Sequence, residues 1–101
     1  ASRTVLKLGQ FLQLNPRRVV RIEGYTDSTG TAQDNLKLSR DRAQSVADML
    51  VDLGVDEKRI QVEGYGDQYP IEANASERGR AQILRGVIVF SDDKGKLAAP
   101  R

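Results

Sequence analysis

The chain has 101 residues, which is enough for one compact domain with a single hydrophobic core. Its 16 lysine and arginine residues nearly balance 14 aspartate and glutamate residues, so the net charge of +2 does not indicate an anionic partner. The chain has no histidine and no cysteine, which excludes Ser-His-Asp and Cys-His catalysis, zinc-finger ligand sets and disulfides. Most hydrolytic mechanisms are excluded with them.

The first half of the chain predicts a helix, a strand and a long helix. Apolar residues recur at helical spacing until Pro16, which predicts a helix over residues 3–14. Residues 18–25 are rich in β-branched side chains and predict a strand. Thr31 fits the N-cap of a second helix, whose apolar residues fall on one arc and predict a helix from about 32 to 53.

The second half predicts two strands and a tail. Residues 59–65 alternate between apolar and polar, as a half-buried strand does, and residues 82–90 predict one further strand with Gly86 as a bulge. The composition of residues 91–101 predicts a flexible tail, which leaves residues 1–90 as the domain. This order of elements predicts an α/β sandwich, with helices over one face of a small mixed sheet.

A short segment occurs twice, forty residues apart. Residues 21–30 read RIEGYTDSTG and residues 61–70 read QVEGYGDQYP. Each copy is predicted to be a strand that ends in Gly-Tyr, so the repeat is explained by a shared geometry at the ends of two strands. Because ligands of open α/β sheets sit beyond the carboxyl ends of strands, both Asp27 and Asp67 are candidate binding residues.

Only the first copy is followed directly by the long helix. Asn35, Ser39 and Arg42 are spaced i, i+4 and i+7 on that helix, so they share the face beside the turn that bears Asp27. A carboxylate and a guanidinium would then flank one small cleft. Spacing alone equally allows Asp27 and Arg42 to form an internal salt bridge, and that is the more common arrangement.

Other candidate sites are weaker. Asp27 and the residues after it do not match a calcium-binding loop, so no metal is expected there. Arg78, Arg80 and Arg85 form a basic strip that could contact protein or nucleic acid, but the chain has only five aromatic residues and lacks the interleaved aromatics of a nucleic-acid platform. A solvated face is the simpler interpretation of the strip.

Two long segments carry a resemblance to a known family. Residues 24–46 read GYTDSTGTAQDNLKLSRDRAQSV and residues 53–82 read LGVDEKRIQVEGYGDQYPIEANASERGRAQ. Both resemble the OmpA-like peptidoglycan-binding domain, whose pattern runs Gly-aromatic-Thr-Asp, a small-residue turn, Asn-x-x-Leu-Ser and then x-x-Arg-Ala. The resemblance implies a mixed βαβαβ-type sheet with helices on one face. It also implies non-covalent binding of peptidoglycan in the periplasm of Gram-negative bacteria.

The resemblance also implies a set of site residues. In the family, the motif aspartate and arginine bind the two ends of the diaminopimelate side chain in the peptide stem, and these residues match Asp27 and Arg42. Asn35 and Thr29 match two further motif positions. The implied protein is a cell-wall anchor belonging to an outer-membrane protein, with no enzymatic activity, no cofactor and no nucleic-acid partner.

The chain departs from the family pattern at three places. The family domain opens with a strand before the first helix, and this chain begins with the predicted helix, so the first strand is expected to be lacking. A sheet that lacks a strand leaves a ladder unpaired, which predicts self-association as a homodimer. Asp34 stands where an aromatic residue is common. Residues 83–88 are more apolar than the family pattern, and no role is assigned to Arg85.

Overall fold

The computed structural model describes residues 3–27, 29–69, 80–83 and 86–101, and these form two helices, a 3-10 turn and four strands. In chain order the elements are α1 (Arg3–Leu14), β1 (Val20–Gly24), α2 (Ala32–Asp52), the 3-10 turn (Glu57–Arg59), β2 (Ile60–Gly64), β3 (Arg80–Ile83) and β4 (Gly86–Phe90). Within this described part of the chain, no helix has the length and apolar character needed to cross a membrane.

The four strands form one mixed sheet in the order β2-β1-β4-β3. β1 is parallel to β2 and antiparallel to β4, and β3 is antiparallel to β4. The predicted α/β sandwich with a small mixed sheet is therefore confirmed. The single strand predicted over residues 82–90 is wrong, because Ile83 pairs with Gly86 and the chain reverses direction between them. Residues 82–83 and 86–90 therefore belong to two antiparallel strands.

The helix α2 begins and ends close to where the sequence predicts. Thr31 has extended backbone angles, and its Oγ1 accepts a hydrogen bond of 3.1 Å from the backbone N–H of Asp34. This bond satisfies one of the donors that the first turn of a helix leaves unpaired. The buried residues of α2 recur every three or four positions and so face the sheet: Asn35, Ser39, Ala43, Ala47 and Leu50.

Both helices pack against the same face of the sheet. Alternate strand residues point to opposite faces, so Val20, Ile22 and Ile88 contact the helices. The resulting core is one apolar cluster, made by the residues Val5, Leu8, Leu12, Val20, Ile22, Ala43, Leu50, Val55 and Ile88. Burying this cluster is the main favourable contribution to folding, because each fully buried aliphatic side chain contributes about 1.5–3 kcal/mol.

The opposite face of β1 carries a buried ion pair. Arg21 and Glu23 are 3% and 1% exposed, and Arg21 Nε lies 3.1 Å from Glu23 Oε2. The Tyr25 hydroxyl donates a 2.7 Å hydrogen bond to Glu23 Oε1. Charged groups are buried at low cost only when they are paired in this way.

The C-terminal segment lies against the same face of the sheet as this ion pair. Arg21 Nη1 donates a 2.9 Å hydrogen bond to the carbonyl of Ala98, and the backbone N–H of Arg101 donates to the Tyr65 hydroxyl at 3.2 Å. Burial raises the pKa of that hydroxyl, while the hydrogen bond from Arg101 acts in the opposite direction. The sequence predicts a flexible tail over residues 91–101 and does not predict these contacts between the segment and the sheet.

Candidate binding site

The two copies of the repeated segment lie side by side and in register. β1 and β2 are parallel neighbours, and Glu23 pairs with Glu63 and Gly24 with Gly64. Both copies therefore leave the sheet at the same edge, as the sequence predicts. The rings of the two tyrosines that follow, Tyr25 and Tyr65, stack with their centroids 5.6 Å apart.

Glycine is required at the end of both strands because α2 crosses directly over them. A Cβ at Gly24 would lie 2.0 Å from the carbonyl oxygen of Ser39, and a Cβ at Gly64 would lie 2.6 Å from the backbone nitrogen of Arg40. No side chain fits at either distance. These two contacts fix the height of α2 above the edge of the sheet where the candidate site lies.

Asp27 lies just beyond β1 and is held within its own turn. Its side chain is exposed, and its Oδ1 accepts hydrogen bonds from the backbone N–H of Thr29, at 3.2 Å, and from the Thr29 hydroxyl. Gly30, two residues before α2, has a φ of 85° that favours glycine. The turn thus presents a carboxylate at the N-terminal end of α2, with Thr29 fixing its orientation.

Two buried polar groups at this end of the sheet lack hydrogen-bond partners. Asn35 and Thr26 are each 5% exposed, and neither Asn35 Nδ2 nor Thr26 Oγ1 has a partner within the described part of the chain. A buried polar group without a partner costs about 1–3 kcal/mol, so such groups mark places that a ligand or water completes. Both groups can donate a hydrogen bond, which suits an acceptor such as a carbonyl or carboxylate oxygen.

Arg42 is exposed, and its guanidinium has no hydrogen-bond or ion-pair partner among the residues that the structure describes. Successive residues of a helix are rotated by about 100°, so Arg40 and Arg42 lie on opposite flanks of the line through Ser39 that faces the sheet. Arg40 is on the β2 side, where its Nη1 lies 3.4 Å from the Val62 carbonyl. Arg42 lies on the other flank.

The internal salt bridge that spacing allowed is not formed, since Arg42 makes no ion pair with Asp27. Helical side chains lean toward the N-terminus of their helix, which is the end where Asp27 lies. The carboxylate and the guanidinium therefore lie on separate elements, the turn before α2 and the middle of α2, and both side chains are exposed.

Other predicted residues are placed as follows. Asp67 is half-buried in the turn after β2. Arg78 and Arg85 of the basic strip lie outside the described residues, as does the side chain of Arg80. Thr26 was not predicted from the sequence. The alternation of β1 could have identified it, because a residue after Tyr25 returns to the helix-facing side of the sheet.

These features define a class of domain, an α/β sandwich in which a turn with an exposed carboxylate leads from a mixed sheet into a long helix that bears an exposed arginine. The chain belongs to the OmpA family, whose model matches residues 1–83. It is 40% identical over 90 residues to Probable lipoprotein YiaD of Escherichia coli (strain K12), covering 89% of this chain and 41% of that protein. It is 45% identical over 85 residues to Peptidoglycan-binding protein ArfA of Mycobacterium tuberculosis (strain ATCC 25618 / H37Rv), covering 84% of this chain and 26% of that one.

A solved structure shares the fold. The peptidoglycan-associated lipoprotein from Burkholderia pseudomallei matches with a TM-score of 0.71 and 31% identity, over 86% of this chain and 74% of that chain. The chain spans less than half of the length of the two relatives YiaD and ArfA. The similarity therefore concerns only part of each of these two proteins.

Proposed function

We propose that this domain binds peptidoglycan non-covalently and anchors the protein to which it belongs to the cell wall, in the periplasm beside the outer membrane. Membership of the OmpA family supports this function, as do the names of a peptidoglycan-binding protein and a peptidoglycan-associated lipoprotein among the proteins it resembles. The proposed activity is binding, without catalysis and without a cofactor.

The ligand group that we propose is the diaminopimelate residue of the peptide stem. The far end of meso-diaminopimelate carries an ammonium and a carboxylate on one carbon. In the proposed complex Asp27 accepts hydrogen bonds from the ammonium and Arg42 donates a bidentate pair to the carboxylate. Charge-assisted hydrogen bonds of this kind contribute on the order of 1.5–3 kcal/mol each.

The observation that carries the proposal is the exposed guanidinium of Arg42, which has no partner within the described residues although it lies on the helix that begins at the Asp27 turn. An arginine that served only to hold the fold together would be expected to pair with a carboxylate or a carbonyl. Asn35 Nδ2 and Thr26 Oγ1 support the same site, because both are buried donors that the described part of the domain leaves unpaired. We assign Asn35 and Thr29 to ligand binding, with Thr29 acting partly through its bonds to Asp27.

Anchoring does not require high affinity for a single stem. A cell wall presents the same group many times, and many copies of the domain face it. Once one copy is bound, the effective concentration of the next stem is high, so weak individual contacts combine into a stable attachment.

The proposal is tested with purified domain, wall sacculi and synthetic stem peptides. The domain should sediment with sacculi, and free meso-diaminopimelate should release it. In calorimetric titrations, a stem with lysine in place of diaminopimelate should bind the wild type more weakly, because lysine keeps the ammonium and lacks the carboxylate. Asp27→Asn and Arg42→Ala should each weaken binding of the diaminopimelate stem by about 2 kcal/mol or more, where wild-type affinity allows it.

Two matched variants serve as controls. Arg40→Ala removes the same side chain from the opposite flank of α2, and Asp67→Asn changes the equivalent aspartate of the second copy; both should leave binding nearly unchanged. Arg42→Ala should bind the lysine and diaminopimelate stems almost equally, which measures the coupling between guanidinium and carboxylate. Equal affinity of the wild type for the two stems would contradict the proposed site.

A further inference from the structure

A chain of hydrogen bonds connects α2 to the residue before Asp27 through the second copy of the repeat. The backbone N–H of Thr26 donates to the Gly66 carbonyl at 2.8 Å. The backbone N–H of Gly66 donates to Ser39 Oγ at 2.9 Å, and that hydroxyl donates to the Leu36 carbonyl at 2.9 Å. Two of these bonds, with Gly66 between them, therefore join the helix that bears Arg42 to the turn that bears Asp27, and the third holds the Ser39 hydroxyl within that helix.

Few residue types could form this connection. Ser39 is 0% exposed, and its hydroxyl both donates and accepts, which alanine cannot do and which threonine could do only by burying an extra methyl group. Gly66 is buried and has a φ of 61°, and a Cβ there would lie 3.1 Å from the backbone nitrogen of Leu36. The turn after β2, which contains Gly66, therefore fits closely between Ser39 and Thr26.

We propose that Ser39 is a positioning residue that sets the spacing between Asp27 and Arg42, and so determines how well the domain distinguishes diaminopimelate from lysine in the stem. This inference rests on the proposed function. The ammonium and carboxylate of the diaminopimelate end are a fixed distance apart, so both can be bound only if the two side chains are correctly spaced. The lysine end has one charge and tolerates a shift of either residue.

The effect follows from which bonds are lost. Without the Ser39 hydroxyl, the buried N–H of Gly66 has no acceptor, and the turn after β2 is no longer held to α2. Thr26 then loses its fixed acceptor at Gly66, and the following residue, Asp27, moves with it. The expected change is specific to the two-point contact, because neither Ser39 nor Gly66 is proposed to contact the ligand.

The experiment compares Ser39→Ala with Ser45→Ala, which removes an exposed hydroxyl from the same helix, where it donates to the Asp41 carbonyl. We expect Ser39→Ala to lose about 5- to 20-fold in affinity for the diaminopimelate stem and less than about twofold for the lysine stem. Amide hydrogen exchange at Thr26 and Gly66 should become faster in Ser39→Ala. Ser45→Ala should match the wild type in all these measurements.

If Ser39→Ala folds poorly, Gly66→Ala tests the same connection from the turn after β2. It should also reduce the selectivity for the diaminopimelate stem over the lysine stem. Equal loss of affinity for both stems, or unchanged selectivity in a folded Ser39→Ala or Gly66→Ala domain, would overturn the positioning role while leaving the proposed function in place. A wild-type domain that binds both stems equally would instead overturn the proposed function, and this inference with it.

Discussion

Replacing Gly24 by alanine would force β1 and α2 apart at the point where the candidate site begins. The added Cβ would lie 2.0 Å from the Ser39 carbonyl oxygen and 2.8 Å from its carbonyl carbon. Both are backbone atoms and cannot rotate away. An ordinary contact begins at 3.4 Å, so the strand or the helix must shift by about 1.4 Å.

The cost of this shift can be bounded. Overpacking a well-packed interior costs about 1–3 kcal/mol, and a clash between two backbones belongs at the upper end because no rotamer relieves it. Alanine also lowers the conformational entropy of the unfolded chain, which returns only about 0.4–1 kcal/mol. We therefore expect Gly24→Ala to lower the free energy of unfolding by about 2–3 kcal/mol. A domain of this size has about 5–15 kcal/mol in total, so the variant should still fold.

Urea unfolding measures the loss of stability, and titration with a diaminopimelate stem at low temperature measures binding by the folded fraction. Binding should weaken as well, because the shift changes the distance between the turn after β1 and the flank of α2. Gly9→Ala is the control: its Cβ would meet the end of the Leu53 side chain at 3.0 Å, which can move, and alanine favours a helix by up to about 1 kcal/mol. If Gly24→Ala unfolds at the same urea concentration as the wild type, the close approach of helix and strand is wrong.

Three further experiments test the buried ion pair, the cap of α2 and the turn that begins at Asp92. Glu23→Gln leaves the guanidinium of Arg21 buried without an anion and should cost about 3–5 kcal/mol in urea unfolding. Thr31→Ala removes the side-chain cap and should cost about 1 kcal/mol, with faster amide exchange in the first turn of α2. Hydrogen bonds from the backbone N–H groups of Lys96 and, to a smaller extent, Lys94 lower the pKa of Asp92. The stabilisation that these bonds give is therefore present above about pH 3.9 and is lost as the pH falls through the lowered pKa. Amide chemical shifts of this turn should report the loss, and Asp92→Asn should abolish the pH dependence.

Elements with a strong local signal were predictable from the sequence. The helix predicted over residues 3–14 is Arg3–Leu14, and the long helix predicted to end near residue 53 ends at Asp52. Its cap residue, Thr31, was also predicted. In each case the pattern of apolar residues and the capping residue act over a few positions, so the sequence contains them directly.

The hairpin of β3 and β4 was not predictable in the same way. Residues 82–90 were interpreted as one strand with Gly86 as a bulge, because Leu84 and Arg85, which lie between the two strands in the sequence, lack the Asn-Gly or Asp-Gly signal of a tight hairpin turn. Val87 and Val89 face away from the helices, and the sequence does not show which residues bury them on that face of the sheet. Part of their cover comes from Leu97, in a segment whose composition predicted a tail.

The residues of the candidate site were predictable from the sequence, but the contacts that these residues make in the fold were not. Spacing placed Asn35 and Arg42 on one face of α2 but could not decide between a ligand site and a bridge from Arg42 to Asp27. The identity of the pair came from the resemblance to a family. Within the described part of the chain, the structure adds that Arg42 makes no bridge to Asp27, and that one buried polar atom each of Thr26 and Asn35 has no hydrogen-bond partner. Such atoms are consequences of tertiary packing, for which the sequence has no local signal.

The forty-residue repeat is best understood as two copies of one strand end with different tasks. Both copies need glycine under α2, at Gly24 and Gly64, because parallel neighbours in register meet the same helix at the same height. They diverge directly after the tyrosine. The first copy continues with Thr26, which leads to the exposed Asp27, and the second continues with Gly66, whose φ of 61° turns its N–H toward Ser39 and its carbonyl toward Thr26. In the proposed complex the first copy presents its carboxylate to the stem peptide, and the second copy holds the turn that bears this carboxylate in place.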